Sequence, residues 1–181
     1  MAQYYYLIAS LPLLFYDSES MPSREDFLVI CRQHISSRHY SLLVSASTID
    51  LQSTVPSCRT LDLWRQWETA LRNELVRLRA KKRGRQAEPY LIESPGVLAP
   101  QAVARDAFAQ DSPLQAEDIL NRGRWMYLDE LEAGHYFDID RILVYALRLQ
   151  LLARKSLFDA EMGRQMFDKV YSEIITPVGE N

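Results

Sequence analysis

The stretch that decides the fold is "IDRILVYALRLQLLAR", residues 139–154. Wound as a helix at about 100° per residue, it carries apolar side chains on almost every side. The main exceptions are Gln150 and two arginines one heptad apart, Arg141 and Arg148, on a narrow line that Lys155 extends. A helix of this kind is either central to its own bundle or covered by a partner. The central place is commoner, so we predict a long C-terminal helix that organises the fold.

Start and stop signals predict further helices on the N-terminal side of this stretch. Ser112 is a helix cap, Pro113 takes the first helical position, Gln115 completes a capping box, and Gly134 suits the end. Ser23 caps another helix in the same way. No stretch of useful length alternates with the period of a strand. The fold class is therefore predicted to be all-α, a multi-helix bundle with helices over 38–46, 61–83, 101–110 and 138–167, the last of which Gly163 can bend or break.

The length of 181 residues suits a single helical domain over 1–181. An alternative division has two halves, 1–86 and 101–181, joined by a proline-rich connector over 87–100 that contains Pro89, Pro95 and Pro100. Two cysteines are too few for a disulfide framework, which predicts a reduced, cytoplasmic protein.

The N-terminal run "YYYLIASLPLLFY", residues 4–16, is apolar enough to raise the question of a signal or a membrane anchor. No Lys or Arg precedes Arg24, so the charged region of a secretory signal is missing. The run is also too short to span a bilayer, and Pro12 interrupts it. We expect a buried N-terminal segment and no direct membrane span.

The stretch "LRNELVRLRAKKRGR", residues 71–85, gathers seven cationic side chains and one acid in a chain whose net charge is −3. On the predicted helix over 61–83, a core stripe forms from Trp64, Trp67, Leu71, Leu75, Leu78 and the stem of Lys82. A second line, roughly 100° round from that stripe, forms from Arg65, Arg72, Arg79 and Arg83. The positive charges therefore lie on both sides of the buried core stripe and do not form one broad cationic face.

Three interpretations of this charge stay open. It can be paired inside the protein: Glu68 and Arg72 form an i,i+4 pair, and residues 111–140 carry eight acids against two arginines, so two helices of opposite charge could pack together. It can contact a protein partner, or it can bind nucleic acid. The net charge and the placing of the aromatic residues on the core stripe disfavour nucleic acid. The candidates for partner contact are Arg65, Arg72, Arg77, Arg79, Lys81, Lys82, Arg83 and Arg85.

Patterns that carry catalysis or bind metal are weak. Cys31 and His34 share a helix face and, with Cys58 and His135, could make a zinc site, but no paired Cys-x-x-Cys supports it. Glu132 and His135 lack the second copy that a di-iron site needs, and no phosphate-binding Gly-rich loop or nucleophile elbow occurs. The acids Asp129, Glu130 and Glu132 suit a solvated helix flank. We predict no enzyme, no catalytic residues, no metal and no cofactor.

Three segments, taken in order, carry a family resemblance: "YYYLIASLP" at 4–12, "LRNELVRLRAKKRG" at 71–84 and "RWMYLDELEAGHYFDIDRILVYALRLQLLAR" at 124–154. Together they resemble an uncharacterised bacterial domain-of-unknown-function family that is usually encoded among the subunits of V-type (archaeal/vacuolar-type) ATPases. That family is similar, more distantly, to the C/d-type subunit of these ATPases, an all-α protein that sits on the membrane rotor ring and receives the central stalk. This sequence is much shorter than the C/d-type subunit, so we do not expect it to be a simple equivalent of that subunit, and part of the funnel that grips the stalk is expected to be missing.

The resemblance implies a non-catalytic accessory, assembly or rotor-coupling subunit of a V-type ATPase. Its expected partners are subunits of the central stalk or membrane ring, and its expected place is cytoplasmic, peripheral at the inner face of the membrane through the ATPase. The resemblance supplies no catalytic residue, and by position the arginines of 72–85 match the basic helix of the family. The alternative is a nucleic-acid-binding regulatory protein that uses the basic helix over 61–85, and a third is a metal-dependent enzyme through Cys31 and His34.

Overall fold

A computed structural model describes residues 4–18, 20–49, 58–93 and 100–157. These residues form seven α-helices, one short 3-10 helix over Glu88–Tyr90, and no strand, which confirms the all-α prediction. The helices are α1 (Tyr5–Ser10), α2 (Arg24–His34), α3 (Ser37–Ser45), α4 (Arg59–Lys82), α5 (Gln101–Phe108), α6 (Pro113–Glu132) and α7 (Ile139–Leu157). The predicted continuation of α7 past 157 lies outside the described residues.

The local signals in the sequence set the helix ends where they were predicted. Ser23 and Ser112 accept hydrogen bonds from the backbone amides of Asp26 and Gln115, so each caps the first turn of its helix. Gly84 follows α4 with φ of 61°, a left-handed conformation that ends a helix and that glycine adopts without strain. These caps need only neighbouring residues, which explains why the sequence alone locates them.

Helix α7 lies at the centre of the larger of two cores. Ten of its residues are buried, and Ile142, Leu143, Val144 and Leu147 have no exposed surface. It packs against α2, α3, α4 and α6, and its apolar partners include Leu7, Phe27, Leu43 and Leu128. The prediction that the C-terminal helix organises the bundle is confirmed for the described part of this helix.

The smaller core lies between α4, α5 and α6. Trp67, Leu71 and Leu75 of α4 meet Ala104 and Ala107 of α5 and Leu120 of α6. The ring of Tyr127 stacks on Trp67, with centroids 4.8 Å apart, and Tyr127 also packs against the larger core. Both cores take residues from before and after the connector, so the two segments that flank it share their buried surface.

The N-terminal segment differs in part from the expectation that it is buried. Leu7 and Tyr16 are buried, but Tyr6, Leu13 and Phe15 are 91%, 74% and 65% exposed. Tyr16 fixes the segment to the bundle because its hydroxyl donates to Asp118 at 2.8 Å. The expectation failed for Tyr6 because a six-residue helix, α1, has only one side against the core, while Leu13 and Phe15 lie in the irregular segment after it. Within the described ranges, no helix is long and apolar enough to cross a membrane.

Candidate functional site

Most cationic side chains of the C-terminal helices are paired inside the bundle. Arg148 donates to Glu132 at 2.8 and 2.9 Å and also binds Asp129, while Arg141 binds Glu132. The interpretation as a solvated flank is wrong for Glu132, whose side chain is only 16% exposed, and holds for Asp129 and Glu130, which are exposed. Glu132 faces α7 because the line through Arg141 and Arg148 packs against the last turns of α6.

An ion network that the sequence did not predict lies between α4 and α6. Glu68 is fully buried and accepts from Arg124 Nε at 2.9 Å and from Arg124 Nη2 at 3.1 Å, a bidentate contact. Arg72 Nε donates to the same carboxylate at 3.0 Å. Arg124 further donates to Asn121 and Glu117. The Glu68–Arg72 pair predicted from spacing is present, but it belongs to a buried network and not to a helix surface.

The electrostatics favour the charged form of Arg124. Burial would lower the pKa of Arg124, but the hydrogen bonds and charges of Glu68 and Glu117 raise the pKa above its ordinary value. A sequence signal for Glu68 existed, because it stands three residues before Leu71 and four after Trp64, inside the predicted core stripe. Its partner Arg124 is 56 positions away and could be identified only from the packing of the two helices.

Four of the eight cationic candidates are held by their own chain. Arg72 donates to the backbone carbonyls of residues 48 and 49 in addition to Glu68. Arg65 pairs with Asp62, and only 15% of its side chain is exposed. Arg77 is exposed and pairs with the half-buried Glu74 on the same helix. The ammonium of Lys82 lies 5.4 Å from the ring centre of Phe108, which ties it to α5.

The other four candidates, Arg79, Lys81, Arg83 and Arg85, are exposed. None of them has a carboxylate within ion-pair distance among the residues that the structure describes. Four of the eight acids of 111–140 pair instead with arginines of α6 and α7, namely Glu117, Asp118, Asp129 and Glu132. Helices α4 and α6 do pack together, but the expected pairing of their opposite charges does not form at this end of α4.

Three of these arginines line one concave surface, which we call the basic groove. Its lining consists of Val76, Arg79, Ala80, Arg83, Arg85 and Tyr90, and its volume is about 290 Å³. Positions 76, 79, 80 and 83 share one face of α4 because they are three or four residues apart. The groove holds cations, an apolar floor and an exposed tyrosine, and none of these lining groups is a carboxylate, imidazole or thiol. Guanidinium groups beside an apolar surface suit the binding of anionic groups.

The metal-ligand candidates do not come together. Among the described residues, one group of three possible ligands lies within 4.8 Å, namely His135, Asp138 and Asp140, and it includes neither cysteine nor His34. These three groups already have protein partners: His135 Nδ1 lies 2.6 Å from Asp138, and Asp140 accepts from the Thr60 hydroxyl at 2.5 Å. Asp138 also accepts from the backbone amide of Arg141, which makes it a cap of α7.

One comparison with known protein families gives a match over part of the chain. Residues 103–176 match the family model described as "Protein of unknown function (DUF2764)". The expected resemblance to a domain-of-unknown-function family is confirmed over this segment, which contains α6 and α7. The description of that family names no ATPase. No curated protein and no solved structure matches the chain.

Proposed function

We propose that this chain, whose C-terminal part matches a domain of unknown function, is a non-catalytic accessory, assembly or rotor-coupling subunit of a V-type ATPase. One observation carries the proposal of a binding role. The arginines of α6 and α7 are paired with acids of the bundle, whereas Arg79, Arg83 and Arg85 have no carboxylate partner among the described residues. The ATPase as partner is supported by the resemblance of the three sequence segments alone.

Helix α4 is suited to transmit force or position between subunits. Its first half is held in the larger core by Trp64, its middle is tied to α6 through Glu68, and its C-terminal turns carry the basic groove. A load applied at the groove therefore passes along a single 24-residue helix into the centre of the bundle. Exposed guanidinium groups at the contact favour an acidic neighbour on the central stalk or membrane ring, on the cytoplasmic side.

The proposal is tested by co-purification of affinity-tagged protein with ATPase subunits from membranes of the source cells. We expect ATPase subunits to be retained by the native protein and lost with the triple variant Arg79→Glu, Arg83→Glu, Arg85→Glu. A matched control reverses three exposed arginines that lie outside the groove, Arg38, Arg59 and Arg105. Because it changes the net charge by the same amount, it separates a local effect from a general electrostatic one.

Two outcomes contradict the proposal. The first is isolation of an intact, active ATPase that lacks this protein from cells that express it. The second is retention of no ATPase subunit by the native protein. Equal retention by the native protein and the groove variant would keep the ATPase as partner but move the contact away from the basic groove. Thermal unfolding of both triple variants is measured in parallel, since these exposed positions are expected to change stability by less than about 0.5 kcal/mol each.

A nucleic-acid-binding regulator is the second candidate, and one observation favours it. Tyr90 is 62% exposed and lies beside three arginines, so a base could stack on it while the arginines contact phosphates. A gel shift with single-stranded and duplex DNA, titrated with salt, tests this candidate. Binding that weakens steeply between low and moderate salt and needs Tyr90 would support it. No shift at low salt eliminates it.

A further inference from the structure

We infer that the basic groove binds an acidic protein segment in which one apolar side chain is flanked by carboxylates. The inference deepens the proposed function and rests on it only in taking the occupant to be a protein. It concerns the chemistry of the site, and the identity of the partner is a separate question. Three features of the groove carry it: a built wall, an apolar floor and a rim of guanidinium groups.

The wall of the groove is fixed to α4 at both ends. After Gly84 the chain turns back, and the amide of Arg85 donates to the carbonyl of Ala80 at 2.9 Å. The backbone of Ile92 then makes two hydrogen bonds with the side chain of Asn73, at 2.7 and 3.0 Å. Between these two attachments the 3-10 helix over Glu88–Tyr90 holds Tyr90 against the groove. The concavity is therefore a defined feature of the folded chain, and binding does not have to order this wall first.

The floor of the groove calls for an apolar group. Val76 and Ala80 supply aliphatic surface, and the ring of Tyr90 supplies one side. A volume of about 290 Å³ lies at the lower limit of sites that enclose a drug-sized ligand, so it suits one large side chain of a partner. A nucleotide cofactor would need more enclosed space and a polar floor for its base.

The rim decides the charge of the occupant. Arg79, Arg83 and Arg85 line the same groove as the apolar floor, and each guanidinium can hold a carboxylate through two parallel hydrogen bonds. Lys81, on another face of the same turn, adds to the positive potential. An apolar segment without acids would leave these arginines without carboxylate partners. A purely acidic segment would leave the apolar floor exposed to water. The combination of both features favours an acidic segment with a single apolar anchor over the backbone of a nucleic acid.

The test uses three synthetic heptapeptides and fluorescence anisotropy with the full-length protein at low salt. The first peptide has a central leucine between two runs of three glutamates, the second has serine at the centre, and the third keeps the leucine but replaces the glutamates by glutamines. We expect saturable binding of the first peptide below about 1 mM. We expect about tenfold weaker binding of each of the other two, and a loss of affinity with rising salt.

Variants of the protein check that the peptide occupies the groove. The triple variant Arg79→Glu, Arg83→Glu, Arg85→Glu should weaken the leucine peptide at least about tenfold, and Tyr90→Ala should reduce the preference for leucine over serine. The control triple at Arg38, Arg59 and Arg105 should bind like the native protein. Equal affinity for leucine and serine peptides, unchanged binding by the groove variant, or no saturable binding would overturn the inference. Competition by single-stranded DNA at lower concentration than the peptide would overturn it in favour of nucleic acid.

The peptide-binding test and the co-purification test different claims, so that either claim can be refuted while the other stands. Peptide binding without retention of ATPase subunits would leave the chemistry of the groove standing and refute the ATPase as partner. Retention of ATPase subunits that depends on the groove, together with equal affinity for leucine and serine peptides, would refute the apolar anchor and leave the proposed function intact.

Discussion

Replacing Glu68 by glutamine should destabilise the fold far more than a charge on a helix surface would. The carboxylate is fully buried and accepts three hydrogen bonds, two from Arg124 and one from Arg72. Glutamine keeps the volume but removes the charge and points an amide group at guanidinium donors. Arg124, whose side chain is 7% exposed, then keeps Glu117 as its only acidic partner among the described residues.

The expected loss in the free energy of unfolding follows from the charge of Arg124, which stays buried after the substitution. Removing one partner of a buried ion pair typically costs about 3–5 kcal/mol, because the other charge is left without compensation. Here the remaining bonds of Arg124 to Glu117 and Asn121 put the expected loss near the lower end, about 3 kcal/mol. Arg72 adds little, since 36% of its side chain is exposed and water can replace the lost carboxylate. A loss of this size is a large fraction of the stability of a typical domain.

The assay is urea unfolding followed by circular dichroism, with the loss read from the midpoint at an unchanged slope. The matched control is Glu74→Gln, which removes a pair on the same helix with Arg77, whose side chain is 48% exposed. Because water can replace the lost carboxylate there, this change should cost less than about 1 kcal/mol. A second variant, Glu68→Leu with Arg124→Met, removes both buried charges and should recover most of the loss. The reasoning is refuted if Glu68→Gln lies within about 0.5 kcal/mol of the native protein. It is also refuted if the double variant is as unstable as the single one.

Three further results are expected. Gly123→Ala should lower the free energy of unfolding by about 1–3 kcal/mol in the same assay, because the added Cβ would lie 2.6 Å from a methyl group of Val103. An unchanged urea midpoint would contradict this and show that Val103 moves without cost. Burial raises the pKa of Cys31 to about 12, so iodoacetamide should label this thiol in native protein far more slowly than in urea, as read by mass spectrometry, and equal rates would contradict its burial. Burial opposes ionisation of Asp118, but hydrogen bonds from Tyr16 and Arg122 outweigh burial and lower the pKa of this carboxyl group. The ionised carboxylate should therefore stabilise the fold above pH 3.8, the ordinary pKa, and this stabilisation should be lost as the pH falls further. Asp118→Asn should lower the free energy of unfolding near neutral pH and change it little in strong acid.

Helix boundaries and the central helix were predictable, because their causes are local. Ser23, Ser112 and Gly84 act on backbone groups within a few residues, so spacing in the sequence is sufficient to recognise them. The apolar side chains on almost every side of 139–154 likewise predict, without tertiary information, that this helix is buried by neighbouring elements. The short helix α1 was not predicted, since its exposed tyrosines carry no helical pattern of burial.

The candidate site was predictable only as a set of eight cations. Spacing in the sequence identified the basic turns of α4. It did not show that Arg72 binds Glu68 whereas Arg79 lines the groove, because both arginines stand on the same predicted line. The difference arises because the Glu68 carboxylate and two backbone carbonyls lie beside Arg72, while the chain after Gly84 turns back beside Arg79. Tyr90, in the predicted connector, offered no signal that it would line a groove.

The sequence by itself determined that this protein is a helical bundle around residues 139–154 and that its positive charge is concentrated at one end of a long helix. Only the tertiary structure decided which charges are paired inside the bundle and which are exposed at its surface. The physical reason is the range of the forces involved. Helix propensity, caps and amphipathic periodicity act between neighbours in the chain. The Glu68–Arg124 pair and the groove beside Tyr90 form only when segments distant in sequence are brought into contact.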